Sequence, residues 1–208
     1  EIVGIGKEYE GKQTIDVAYT KGELLEKLQE LRGGEPGEEI DRTHVYVLTK
    51  DVDESYPERM SVFEVAPYLS VKKAKAFDEN ELPDNYMVIT ADTIVVVDDR
   101  ILGKPKDADD ARRMLRLMSG KKHSVITGVT ILTKEKSKTF SVTSKVSFDV
   151  LDEEEIDYYV SEYKPMDKAG SYGVQEWIGY IGVNYVEGSY FNVMGLPTQK
   201  LYQMLKCF

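Results

Sequence analysis

Residues 87–106 read MVITADTIVVVDDRILGKPK, and the fold is decided there. Met87, Val88 and Ile89, then residues 94–97, form short β-branched, apolar runs bounded by turn residues, the pattern of a strand buried on both faces. In the middle stand Ala91, Asp92 and Thr93, a carboxylate and a hydroxyl inside a hydrophobic run. Burying an ionised carboxylate costs several kcal/mol unless it is paired or holds a cation. Asp98-Asp99 reads as a turn, Ile101-Leu102 as a short returning strand, and Gly103-Lys104-Pro105 as a tight loop that brings a lysine back beside the acid. An acid and a lysine so placed suit a metal-bound phosphate. They equally suit a strand-end acid paired with a neighbouring lysine, and the spacing alone leaves both readings open.

On the amino-terminal side, residues 1–13 read as an irregular arm. Gly4 and Gly6 are not followed by a third glycine, since Tyr9 stands there, so a dinucleotide fingerprint fails. Residues 14–18 read as a short strand, and Thr20 with Glu23 as a capping box opening a helix with Leu24, Leu25, Leu28 and Leu31 on its apolar face. Gly33-Gly34 ends that helix, and an acidic loop follows. Residues 44–48 read as a strand delivering Asp51, Asp53 and Glu54 into a loop, a set of acids that forms a solvated turn or serves a cation. Pro67 fits the first turn of the next helix. Its face carries Leu69, Lys73, Ala76 and Phe77, which places Lys73 in an apolar stripe, where it snorkels to the surface or does chemistry.

On the carboxyl-terminal side, Asp107 caps a helix whose buried stripe is Ala108, Ala111, Met114 or Leu115, and Met118, and Gly120 stops it. Arg112, Arg113 and Arg116 flank the stripe as solvated or interface charges. Residues 124–133 and 139–150 read as two long strands, the second half-exposed by its alternation. Asp152 opens another capped helix with Ile156, Tyr159, Val160 and Tyr163 inward. Residues 166–173 read as a loop, 178–186 as a strand weakened by Gly179 and Gly182, and Pro197 as the opening of a last helix. Strands and helices are mixed without regular βαβ alternation, which predicts an α/β or α+β fold on a mixed sheet.

The chain has 208 residues, 41% hydrophobic and 31% charged, ordinary values for a soluble globular protein built as one domain or two small lobes. No apolar run reaches the ~18 residues of a membrane span, and the first thirty residues show no signal-peptide core. The single Cys207 excludes an intrachain disulfide and fits a reducing, cytoplasmic setting. A net charge of −10 argues against a nucleic-acid binder. It also means that an anionic substrate must be met by local lysines or a divalent cation, whose fields dominate within the ~8 Å screening length.

Taken together, Asp53-Glu54-Ser55, Lys73-Ala74, Ala91-Asp92-Thr93, Gly103-Lys104-Pro105-Lys106, Ser119-Gly120-Lys121, Thr127-Gly128-Val129, Asp167-Lys168-Ala169-Gly170, Tyr172-Gly173-Val174-Gln175 and Asn192-Val193-Met194-Gly195-Leu196-Pro197 resemble the motifs of the Maf family of nucleoside triphosphate pyrophosphatases, in family order. The resemblance covers about 50–205 of a single 1–208 Maf-like domain, with an atypical segment over about 1–49. It implies an elongated mixed sheet flanked by helices, two lobes with a cleft, and hydrolysis of a nucleoside triphosphate to monophosphate and pyrophosphate. The run from Lys168 to Gln175 resembles the branch that acts on dTTP and UTP. The resemblance further implies Asp92 as proton acceptor, Lys73 and Lys104 as catalytic cations, Thr93, Gln175 and Lys21 as substrate-binding groups, and Mg²⁺ or Mn²⁺ held by Asp92 and Glu54. It implies a homodimer as well. Before Glu23-Leu24-Leu25 the family carries a Ser-x-Ser-Pro-Arg-Arg loop, and here those residues are replaced, with Lys21 the only cation nearby. That departure supports a second reading, a nucleotide-binding but catalytically impaired relative with a regulatory role.

Overall fold

The computed structural model of the protein describes residues 2–5, 45–48, 50–78, 80, 82 and 86–208. The expected strand at 14–18, the capped helix at 20–31 and Lys21 lie outside these residues. Among the described residues seven strands form one sheet: β1 (Ile2–Ile5), β2 (Val45–Leu48), β3 (Met87–Val97), β4 (Arg100–Leu102), β5 (Lys122–Leu132), β6 (Ser137–Phe148) and β7 (Val183–Glu187). Their order is β2-β1-β3-β5-β6-β7, with β4 also paired to β3. The mixture of helix and strand is as expected. Within the sheet every described ladder is antiparallel, a narrower arrangement than the mixed sheet that the sequence predicts.

The centre of the sheet is the stretch singled out above. β3 runs unbroken through Asp92, and Asp98 and Asp99 turn it into β4 with φ of 47° and 60°. A two-residue turn of that hand matches the twist of the flanking strands, and aspartate tolerates it better than most residues. Residues 2–5, expected as part of an irregular arm, instead form β1 between β2 and β3. The glycines at 4 and 6 masked a short β-branched run whose pairing partners are distant in sequence.

Helices cover both faces of the sheet. On one side lie α2 (Ala108–Met118) and α3 (Glu153–Tyr163), whose Ala111, Met114, Leu115, Met118, Ile156, Tyr159 and Val160 share a core with Val95, Val97, Val125 and Phe148. The helix starts are as the sequence predicts. Asp107 accepts the Asp110 N–H at 2.8 Å, and Asp152 and Glu155 make a reciprocal capping box at 2.8 and 2.9 Å. Replacing Asp152 with alanine is expected to cost about 1 kcal/mol, read as a fall of roughly 2–4 °C in Tm; an unchanged melting curve would count against the box. Arg112–Asp157 and Arg116–Glu153 tie α2 to α3 at the surface, while Arg113 pairs with Asp110 of its own helix. Tyr163, expected inward, is exposed and stacks on Tyr159. His123 is buried with Nε2 2.7 Å from the Tyr172 hydroxyl, and burial lowers its pKa to about 4, so it is neutral at pH 7.

On the other side lies α1 (Val62–Ala74), packing Val65, Ala66 and Leu69 on Ile94 and Ile126. It begins ahead of Pro67, which therefore sits inside the helix and not in its first turn. Burial of Val65 and Ala66, both 0% exposed, outweighs the backbone hydrogen bond that the proline forgoes. The second correction falls at 178–186. Residues Trp177–Gly182 coil into α4, and only Val183–Glu187 pair with β6. A Cβ on Gly179 would lie 1.9 Å from the Val174 carbonyl oxygen, so this glycine marks a tight helical packing and not a strand bulge. Two helices complete the chain, α5 (Tyr190–Val193) and α6 (Thr198–Lys206), the latter with Leu201 and Leu205 half-buried. Among the described residues no helix is long and apolar enough to cross a membrane.

Candidate active site

Successive side chains of a strand point to opposite faces. In β3 this sends Thr90, Asp92 and Ile94 toward α1, and Thr93 and Val95 toward α2 and α3. Asp92 stands opposite Gly128 of β5. A Cβ on Gly128 would fall 2.2 Å from Pro67 N and 2.3 Å from the Ala66 carbonyl carbon, so the backbone of α1 rests directly on the sheet there. A polar seam fixes the helix further along. The Ser70 hydroxyl lies 2.8 Å from that of Thr130, the Thr90 hydroxyl donates to the Ser70 carbonyl at 2.6 Å, and Thr130 continues to Thr139 at 3.0 Å. These buried hydroxyls set the register of α1 against β3 and β5, since each would be costly to leave unpaired.

That register brings Lys73, in the last turn of α1, onto Asp92. The two form an ion pair, and Lys73 Nζ also lies 3.1 Å from Glu54 Oε1. The same oxygen of Glu54 is 2.9 Å from Lys104 Nζ, carried on the loop after β4. Asp92, Lys73, Glu54 and Lys104 thus form an alternating chain of charges. Their side-chain exposures rise along it, 8%, 14%, 40% and 51%, so it runs from the sheet interior out to solvent. Each carboxylate has a cation, and the inner cation, Lys73, has two carboxylates, which is how charges persist at partial burial.

Burial raises the pKa of Asp92 above its ordinary value, and Lys73 only partly opposes it. For Lys73 burial works against the charge, but Asp92 and Glu54 outweigh it and the pKa is raised. Burial also works against Glu54, yet Lys104 and Lys73 hold its carboxyl below the ordinary range. Burial thus dominates at Asp92, whereas the paired lysines dominate at Glu54.

The position of this chain in the sheet is as informative as its contacts. Along one edge of β3, β1 covers residues 87–90 and β4 covers 95–97, while β5 covers the other edge. Residues 91–94 lie between, so among the described strands the edge is uncovered at Asp92 and Thr93. The loop at 167–171 closes one side, with the Gly170 N–H donating to the Gly103 carbonyl at 3.0 Å. Burial opposes the charge on Asp167 there, but Lys168 and, from across the loop, Lys104 hold its carboxyl below the ordinary range.

Of the residues expected from the sequence, Asp92, Lys73, Lys104 and Glu54 meet as one cluster. Thr93 does not join it. Its hydroxyl lies on the opposite face, 2.9 Å from that of Thr127, which donates to the Asn192 carbonyl at 3.1 Å. Gln175 is exposed just before α4, and its amide has no partner among the described residues. The turn bearing it is tied back by Lys168 to Glu176 at 3.2 Å and by the Gly173 N–H to the Tyr159 hydroxyl at 3.0 Å. Gly128 appears in the sequence only as part of the Thr127-Gly128-Val129 motif; its packing role against α1 was not read there, and a glycine inside an apolar strand was its signal.

Comparison with known proteins matches a family model described as Maf-like protein over residues 38–208. The chain is 56% identical over 156 residues to a dTTP/UTP pyrophosphatase of Bacteroides thetaiotaomicron, covering 75% of this chain and 80% of that protein. It is 54% identical over 163 residues to a dTTP/UTP pyrophosphatase of Bacteroides fragilis, covering 78% and 84%. With a dTTP/UTP pyrophosphatase of Flavobacterium psychrophilum the identity is 46% over 159 residues, covering 76% and 81%.

Proposed function

The chain belongs to the Maf family, and from that premise we propose that it hydrolyses dTTP and UTP to the monophosphate and pyrophosphate. The observation that carries the reading is the charge chain Asp92–Lys73–Glu54–Lys104 at the uncovered edge of β3. Two lysines there meet the phosphate oxygens that the net charge of −10 would otherwise repel.

In the reaction water attacks the α-phosphorus, and the bond from that phosphorus to the α,β-bridging oxygen breaks. Asp92 accepts the proton of the attacking water, a role suited to an acid whose pKa burial has raised. The electron pair leaves with pyrophosphate, and Lys73 and Lys104 stabilise the charge gathering on its oxygens. Gln175, with an exposed amide, and Thr93, at the uncovered edge, are assigned to base and sugar; an amide suits a pyrimidine edge that presents both an acceptor and a donor. Lys21, the only cation near the altered loop ahead of Glu23-Leu24-Leu25, keeps its assignment as a substrate-binding group.

Asp92 and Glu54 would hold a Mg²⁺ or Mn²⁺ ion. Their hard carboxylate oxygens flank one ammonium, and among the described residues no third acid, histidine or cysteine joins them as a metal cage. That donor set fits a cation which takes one or two carboxylates and completes its shell with water and substrate phosphate. When bound, such an ion screens the triphosphate and lowers the pKa of water. The same reading places the protein in the cytoplasm, with the nucleotide pools, and as a homodimer.

The test is pyrophosphate release by purified protein with dTTP, UTP and Mg²⁺. Equimolar monophosphate and pyrophosphate, lost on chelation with EDTA, are expected. Tight nucleotide binding without turnover would overturn the proposal in favour of a silent relative.

A further inference from the structure

α1 offers two consecutive lysines to two consecutive acids. Lys73 turns inward to Asp92 and Glu54, while Lys72 reaches the loop ahead of the helix. Its ammonium lies 2.9 Å from Asp53 Oδ2, 3.1 Å from the Ser55 carbonyl oxygen and 3.3 Å from Ser55 Oγ. An ammonium has three protons, and here each has an acceptor. Asp53 in turn accepts the Ser55 N–H on Oδ1 at 3.0 Å and the Ser55 hydroxyl on Oδ2. The residue enclosed by this turn is Glu54, whose Oε1 is shared between Lys73 and Lys104.

We propose that Lys72 is a positioning residue: by closing the Asp53–Ser55 turn around its ammonium, it holds Glu54 where one carboxylate serves two lysines and a divalent cation. The inference rests on the functional reading above, in which Glu54 holds the metal. Lys72 and Asp53 are 30% and 73% exposed, and ion pairs that open to solvent contribute little to overall stability. What Lys72 supplies is order. A glutamate in a loop samples many rotamers, and ordering its backbone on both sides lowers the cost of presenting the carboxylate. Partners one step removed from a metal ligand orient it, and their loss commonly weakens metal binding or activity about 10–100-fold.

The experiment is a double-mutant cycle of Lys72→Met with Glu54→Gln, read by dTTP hydrolysis, Mg²⁺ dependence and thermal melting. Methionine keeps the apolar stem and removes the charge. In the otherwise native protein, K72M is expected to lower kcat/KM about tenfold and to raise the half-saturating Mg²⁺ concentration by a similar factor, with Tm nearly unchanged. In the E54Q background the same change should cost less than about twofold, and Lys72→Arg should recover most of the loss. Equal losses in both backgrounds, or a loss that follows Tm, would overturn the proposal. Calorimetry with Mn²⁺ and α,β-imido-dUTP on the same samples separates the two levels of inference. Absence of dTTP and UTP hydrolysis in the native protein sinks the functional reading; an unchanged Mn²⁺ affinity in K72M sinks the positioning role.

Discussion

Asp92→Asn is expected to reduce pyrophosphate release by about 10²–10⁴-fold, the contribution of a positioned proton acceptor. Asparagine has nearly the same shape and can still accept a hydrogen bond from Lys73, which also keeps Glu54 at 3.1 Å. Glu54 and the two lysines remain to meet the nucleotide, so the loss should appear mainly in kcat, together with a rise in the half-saturating Mg²⁺ concentration because the same carboxylate is assigned to the metal. A variant that keeps more than about a tenth of native turnover would remove Asp92 from the reaction. The pH dependence follows from the same carboxyl. Falling pH protonates Asp92 and removes the acceptor, so activity is lost on the acid side. Burial raises its pKa above the ordinary 3.8, while a cation held by the same carboxylate pulls it back down, so the acid limb should move to lower pH as Mg²⁺ is raised. The acid limb of kcat/KM in the native enzyme reports this group, and it should be missing from the residual activity of D92N.

Much of this site was legible because its parts are local. The apolar run around Asp92, the Asp98-Asp99 turn and the return of Lys104 follow from residues within one hairpin, and the structure reproduces them. Lys73 was legible as a lysine in an apolar stripe. What the local pattern left open was whether Asp92 was a structural or a chemical acid. The structure shows the paired acid, with Asp92 ion-paired to Lys73; the extension of that pair to solvent by Glu54 and Lys104 is what the proposed chemical role rests on. Thr93 is a different case. Alternation along a strand already separates adjacent residues onto opposite faces, so its distance from the Asp92 cluster could be read from the sequence. Pro67 and Gly179 misled for the opposite reason. Their local preferences favour a helix start and a strand bulge, but each is governed by what packs against it: Gly128 beneath Pro67, and the Val174 carbonyl against Gly179.

Gly128→Ala tests that packing directly and should have a large structural effect for a single methyl group. The added carbon would meet Pro67 N, the Ala66 carbonyl carbon and the Ala66 carbonyl oxygen at 2.2, 2.3 and 2.4 Å. All three are backbone atoms inside a helix, so no rotamer change relieves the clash. Relief requires α1 to lift from the sheet by on the order of 1 Å or more, to restore ordinary contact distances. Overpacking of this kind costs about 3 kcal/mol or more, read as a fall in Tm of roughly 6–12 °C. The same displacement moves Lys73 relative to Asp92, and a misplacement of ~1 Å can cost about 10²-fold in rate. Gly103→Ala is the control: it neighbours Lys104, but nothing lies within 4 Å of the added carbon, so both Tm and turnover should hold. Native melting and native turnover in G128A would mean that α1 does not rest on β5 as described. The placement of Lys73 would then need another cause. Loss of turnover with an unchanged Tm would instead show that the helix can ride upward at little cost in stability, and that catalysis alone demands the close approach.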